Sequence, residues 1–119
     1  MSDTPHTKEE AQFWKDYDPS QFKKPSMAVD TAIFTIRDSE LHVLLIQRDE
    51  YPFKNQWSLV GGYINIQTDH SLGDTAKRKL KEKTGVDTPY LEQVETVGNS
   101  TRDPRQWTVS TSYFALLPS

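Results

Sequence analysis

The most chemically loaded stretch of the sequence is Arg78-Lys79-Leu80-Lys81-Glu82-Lys83-Thr84-Gly85. On a helix, at 100° per residue, positions 79, 82 and 83 fall within an arc of about 100°, so their charged heads converge on one patch. Carboxylates on such a patch would hold Mg²⁺, which bridges phosphates, cancels developing charge and activates water. Ammonium groups would instead meet a phosphate directly. From Lys77 to Lys83 there are five basic residues and one acid, a local +4 in a chain of net charge −3. At ~6 Å and an effective dielectric near 20, a dication meets about 5 kcal/mol of repulsion per lysine. Glu82 between Lys79 and Lys83 is therefore a poor magnesium site. The two lysines are read as phosphate-facing, while Lys77 and Lys81 are read as solvated surface charge.

A second candidate is Arg102-Asp103-Pro104-Arg105-Gln106-Trp107. Two arginines around a proline-stiffened turn can present guanidinium forks to a diphosphate, and Trp107 can offer an aromatic plane to a base or ribose. The structural alternative is a loop in which Arg102 pairs with Asp103. His6, His42 and His70 lie far apart without ligand spacing, which argues against zinc. His42 is read as a surface residue of a strand. With no cysteine in the chain, disulfides, thiolate metal sites and a cysteine nucleophile are excluded.

These residues need a scaffold, and the apolar patterning supplies one. Ala28 to Arg37 is rich in β-branched and aromatic residues, and Leu41 to Arg48 reads as a second, buried strand, with Asp38-Ser39-Glu40 a hairpin-length connection. Trp57 to Ile66 is a third strand-like segment, broken by Gly61-Gly62. Ser71-x-x-Asp74 starts a helix that carries Leu72, Ala76 and Leu80, and Gly85 ends it as a left-handed cap over which Val86 closes. Leu91 to Val97 is expected as a strand, Gly98 to Gln106 as a polar loop and Trp107 to Leu117 as a last strand. Five strands around one helix predict an α+β domain.

Length and composition set the outer bounds. At 119 residues the chain fits one domain, and 34% apolar residues, against roughly 45–50% on average, predict a thin core. A mean hydropathy of −0.74 and no apolar run near the ~20 residues of a membrane helix predict no spanning segment, and a cytoplasmic location is expected. Residues 1–24 are read as an arm whose Phe13, Trp14, Tyr17 and Phe22 pack onto the domain surface or a twin subunit. Residues 25–119 form the domain proper.

Taken together in order and spacing, Val43 to Arg48, Trp57 to Gly62 and Gly61 to Val86 resemble the Nudix box and its preceding strands, whose family pattern is G-x5-E-x7-R-E-U-x-E-E-x-G-U. Arg78, Leu80, Glu82, Gly85 and Val86 fall on the pattern. His70 stands at the first glutamate, Lys79 and Lys83 replace two others, and the spacing from Gly62 to Arg78 is two residues longer. The Arg102 to Trp107 segment and Arg78 to Thr84 together are similar to ADP-ribose pyrophosphatases and to the Nudix-related NrtR regulators of NAD metabolism, with Gln106 where glycine is usual.

The resemblance implies a Nudix fold, a mixed β-sheet packed with the box helix in an α/β/α sandwich. It implies a ligand site for ADP-ribose or a related nucleotide at Arg48, Trp57, Gly61, Gly62, Lys79, Lys83, Arg102, Asp103, Arg105 and Trp107. Arg78 and Gly85 are then structural. The first reading is a sensing domain that binds without efficient hydrolysis and needs no cofactor to do so. An active Mg²⁺-dependent pyrophosphohydrolase, with Glu82 as catalytic residue and metal ligand helped by Asp69, Asp74 or another acid, is the second, and an assembly-only subunit the third. A homodimer is expected, and no membrane partner. The NrtR resemblance further implies a winged-helix domain beyond the Nudix part, so 25–119 is expected to be incomplete at its C-terminal end, with DNA reached only through a domain absent from this chain.

Overall fold

β1 (Ser26–Arg37) organises the molecule because its twelve residues pair on both sides. The computed structural model describes residues 7–88 and 90–118; His6, Pro89 and Ser119 lie outside them. Along one edge, the second half of β1 pairs antiparallel with β2 (Glu40–Val43), and its first half pairs antiparallel with the strand that carries Gly61 and Gly62. Asp38 and Ser39 both have positive φ and close the two-residue hairpin between β1 and β2.

β3 (Ile46–Gln47) and β4 (Trp57–Ser58) form a separate two-stranded ribbon. β5 (Val60–Tyr63) is the glycine-bearing neighbour of β1. β6 (Glu92–Asp103) and β7 (Gln106–Leu116) form a long hairpin, and β7 runs parallel to β1. The five-stranded sheet is mixed, with β6 at its edge.

Alternation along β1 sends Val29, Thr31 and Ile33 to one face, where they are buried. There they meet α2 (Leu72–Thr84), whose Ala76 and Leu80 are fully buried. Ile33, Val60, Leu80 and Ala115 form one core cluster; Val29, Ala76 and Tyr113 form another. The helix starts where expected, with the Ser71 hydroxyl accepting from the Asp74 backbone N–H at 3.1 Å. It ends at Gly85, φ 75°, whose N–H donates to the Lys81 carbonyl, and Val86 packs against the core. No helix among the described residues is long and apolar enough to cross a membrane.

Three expectations change. Leu41 to Arg48 is not one buried strand: β2 is exposed throughout. After Leu44, whose N–H donates to Ile33 O, the chain leaves β1, and Ile46–Gln47 pair with β4 instead. Gly98 to Gln106 is not a loop, because β6 pairs with β7 up to Asp103 opposite Gln106, with an irregularity after Asn99. Its polarity reflects an exposed edge strand rather than a lack of structure. The arm contains α1 (Lys8–Asp16), capped by Thr7, which buries none of its residues. Phe13, Trp14, Tyr17 and Phe22 meet one another with centroids 5.0–6.0 Å apart and stay about half exposed, and of the two described α-helices α2 alone carries buried residues.

Candidate functional site

A cleft of about 390 Å³ opens around Gly61 and Gly62. By alternation the two absent side chains would point to opposite faces of β5, and both spaces are taken by charged residues. A Cβ on Gly62 would stand 2.5 Å from Lys79 Cε, and one on Gly61 would stand 2.6 Å from both Asp30 Oδ1 and the Val29 carbonyl. The glycines that sequence placed as a break in a strand thus lie inside β5, where they admit Lys79 from α2 and Asp30 from β1.

The cleft gathers Arg48, Lys79, Lys83, Arg102 and Arg105. Lys79 and Lys83 are one helical turn apart on α2. The Lys83 ammonium donates to the Gly61 carbonyl. Desolvation pushes its pKa below that of an ordinary lysine, and the positive charges of Lys79 and Arg48 push the same way. Arg48 Nε donates to the Pro52 carbonyl at 2.7 Å.

From the hairpin tip, Arg102 pairs with Asp30 at 2.9 Å and Arg105 with Asp103 at 2.7 Å. The expected alternative, Arg102 with Asp103, is therefore replaced by two separate pairs. Tyr63 donates its hydroxyl to Asp103 at 2.9 Å, and the Arg105 guanidinium lies over the Tyr63 ring. Arg105 holds the Asp103 carboxyl well below the usual carboxylate range. At the cleft wall the buried Ser110 hydroxyl has no hydrogen-bond partner among the described residues.

Arg78 lies beside the cleft rather than in it. Its guanidinium donates through Nε and Nη2 to the two oxygens of Asp69, each at 2.8 Å, and to the Tyr63 carbonyl at 3.2 Å. Asp69 also accepts from the Asn65 N–H and the Thr75 hydroxyl, so the longer segment after Gly62 folds around this carboxylate and ties it to α2. Arg78 first, and these bonds after it, hold Asp69 well below the ordinary range.

The donor set does not fit magnesium. Glu82 is half exposed and outside the cleft lining, and its carboxylate is engaged by Arg78 at 3.1 Å and Lys79 at 3.4 Å. Asp69 is consumed by Arg78, and Asp74 accepts the His70 N–H at the helix start. Among the described residues no three His, Asp or Glu side chains cluster as metal ligands. Oxygen ligands with two lysines beside them leave no neutralising charge for a dication.

Two expected ligand residues stand elsewhere. Trp57 lines a second, largely apolar cavity of about 690 Å³ with Ile33, Val43, Leu44, Val86 and Leu117. Trp107 is about half exposed, and its ring lies against Gly98 on the neighbouring strand. Conversely, Asp30, Glu50 and Tyr63 line the cleft without having been singled out from sequence. Asp30 left a signal, since it is a carboxylate in the middle of a strand rich in β-branched and apolar residues, where a charge contributes little to packing.

A sequence profile of the NUDIX domain matches residues 27–118. The chain is 49% identical over 108 residues to an ADPR responsive transcriptional repressor, NtrR, of Acinetobacter baylyi, spanning 91% of this chain and 43% of that protein. It is 29% identical over 86 residues to an ADP-ribose pyrophosphatase of Methanocaldococcus jannaschii, spanning 72% of this chain and 47% of the relative. The chain thus spans less than half the length of these curated relatives. The NUDIX domain of Shewanella oneidensis NrtR, solved in complex with ADP ribose, superposes with a TM-score of 0.87 at 47% identity, over 92% of this chain and 71% of that one.

Proposed function

Because the chain belongs to the NUDIX domain family, we propose that it is the ligand-sensing part of a transcriptional repressor, binding ADP-ribose or a related nucleoside diphosphate derivative with little or no hydrolysis. The observation that carries this reading is the charge of the α2 face: Lys79 and Lys83 line the cleft, while the remaining carboxylate, Glu82, is tied to Arg78. Ammonium and guanidinium groups fixed in a cleft neutralise a diphosphate directly, so binding needs no metal. With lysines at 79 and 83 and with Glu82 held by Arg78 and Lys79, α2 offers no carboxylate set to hold a dication that would activate water. The likeness to a repressor that responds to ADPR and to an NrtR domain holding ADP ribose supports the same assignment. In this reading residues 1–24 are an arm, 25–119 the sensing domain, the working unit is a homodimer in the cytoplasm, and DNA is contacted by other parts of a longer protein.

A hydrolytic reading draws on the likeness to an ADP-ribose pyrophosphatase, and one experiment separates the two. Calorimetric titration with ADP-ribose, with and without Mg²⁺, should give dissociation constants that agree within about threefold, since a tenfold change corresponds to 1.4 kcal/mol of metal contribution. No turnover should accompany binding. Hydrolysis near about 1 per second, ordinary for an enzyme, would establish the pyrophosphatase instead.

A further inference from the structure

Asp30 is a charged residue that the core does not need. It sits within β1, between β5 on one side and β7 on the other, where a carboxylate contributes little to sheet packing and loses solvation. Its side chain is 26% exposed and opens into the cleft. Space for it is kept by Gly61 directly opposite in the register, where any Cβ would collide with Oδ1 at 2.6 Å. Its partner, Arg102, comes from the hairpin tip 72 residues later, with Nη2 at 2.9 Å from Oδ2.

We propose that Asp30 sets the specificity of the cleft: it favours a diphosphate whose outer phosphate is esterified to a hydroxyl-bearing group and disfavours one that ends in a free phosphate. This rests on the diphosphate reading above. A ligand phosphate that engages Arg102 must share that guanidinium with Asp30, so two anions meet at one cation. The outer phosphate of an esterified diphosphate brings one negative charge to that meeting. A terminal phosphate brings about 1.5 to 2 at neutral pH, and the added charge sits beside a fixed carboxylate in a partly desolvated cleft, where repulsion is strong.

A hydroxyl on the esterifying group has the opposite effect, because it donates to the Asp30 oxygen that Arg102 gives up. The total charge agrees. Five cationic side chains line the cleft against three carboxylates, Asp30, Glu50 and Asp103, a surplus of two that matches the double negative charge of a diphosphate esterified at both ends. Specificity thus arises from a repulsive element as well as from the attractive ones.

The test is metal-free calorimetry on the whole chain with ADP-ribose, ADP and the β-methyl ester of ADP. The methyl ester should bind about tenfold more tightly than ADP, as expected for one unit of charge removed from beside a carboxylate, and ADP-ribose more tightly still. Asp30→Asn keeps the shape and removes the charge, and should shrink the preference for ADP-ribose over ADP by about fivefold or more, mainly by strengthening ADP. Asp87→Asn, which touches only the exposed Lys81 pair, should leave the preference unchanged. Equal affinities for ADP and its methyl ester overturn the proposal without any variant, and so does an Asp30→Asn protein in which all three ligands shift by one common factor. Either result leaves ADP-ribose binding intact, whereas a chain that binds none of the three refutes the sensing function as well.

Discussion

Lys83 is a side chain through which solvent alone can change the cleft's charge. Its ammonium binds the Gly61 carbonyl, and desolvation, with Lys79 and Arg48 nearby, holds its pKa below that of ordinary lysine. The protonated form attracts phosphate and the neutral form does not. Affinity for ADP-ribose should therefore be full at neutral pH and decline as pH rises through a value lower than the ~10.4 of a free lysine. Bound phosphate favours the protonated form, so the complex takes up protons in that window. Lys83→Met should weaken binding about tenfold at neutral pH, the scale of a lost hydrogen bond to a charged group, and should flatten this alkaline decline. Calorimetry from pH 7 upward measures both, and an undiminished decline in the variant would assign it to another group.

α2 joins the charged cleft to the core, because one side carries Lys79 and Lys83 while the other buries Ala76 and Leu80. The position of the lysines therefore depends on apolar packing and on how the helix ends. Leu80 is completely buried beside Ile33, Val60 and Ala115, so Leu80→Ala should cost about 2–5 kcal/mol of stability. At Gly85, φ 75° with nothing near a would-be Cβ, alanine fits the space but not the backbone. That substitution should cost about 1–2 kcal/mol through the left-handed conformation alone. Urea unfolding gives both values. A Gly85→Ala loss below a few tenths of a kcal/mol would mean that the cap relaxes rather than strains.

At the scale of the whole molecule the outline is extended. The Cα radius of gyration is 18.7 Å and the long axis 67 Å, whereas a compact chain of this length has a radius near 13–14 Å. α1 buries none of its residues and has its own N-cap, and Phe13, Trp14, Tyr17 and Phe22 in and after it remain 44–58% exposed. Grouped aromatics left open in this way are suited to covering a second copy, and two-fold pairing is the commonest arrangement. Sedimentation at micromolar concentration should find a dimer, and deletion of residues 1–24 should raise its dissociation constant at least about tenfold. A 119-residue chain that sediments as a monomer would remove this role from the arm.

Local chemistry determined much of this protein from the sequence alone. The Ser71 and Gly85 caps, the apolar spacing of Leu72, Ala76 and Leu80, and the lysines at 79 and 83 depend on residues within one helix, so their signals are contiguous. The same holds for β1, whose β-branched and aromatic residues are concentrated between Ala28 and Arg37. Tertiary structure alone decided what pairs with what across distance. Leu41 to Arg48 reads as one strand because its apolar run is continuous, but its two ends belong to different sheets. Gly98 to Gln106 reads as a loop because it is polar, but a strand at a sheet edge needs only one hydrogen-bonded neighbour, which β7 supplies on either side of the irregularity after Asn99. The partners of the arginines were equally hidden: nothing local to Arg102 indicates Asp30 across 72 residues, and nothing local to Arg78 selects Asp69 over Asp74. Charge attraction has no sequence period, so these pairings exist only once the backbone brings the groups to within about 3 Å of each other.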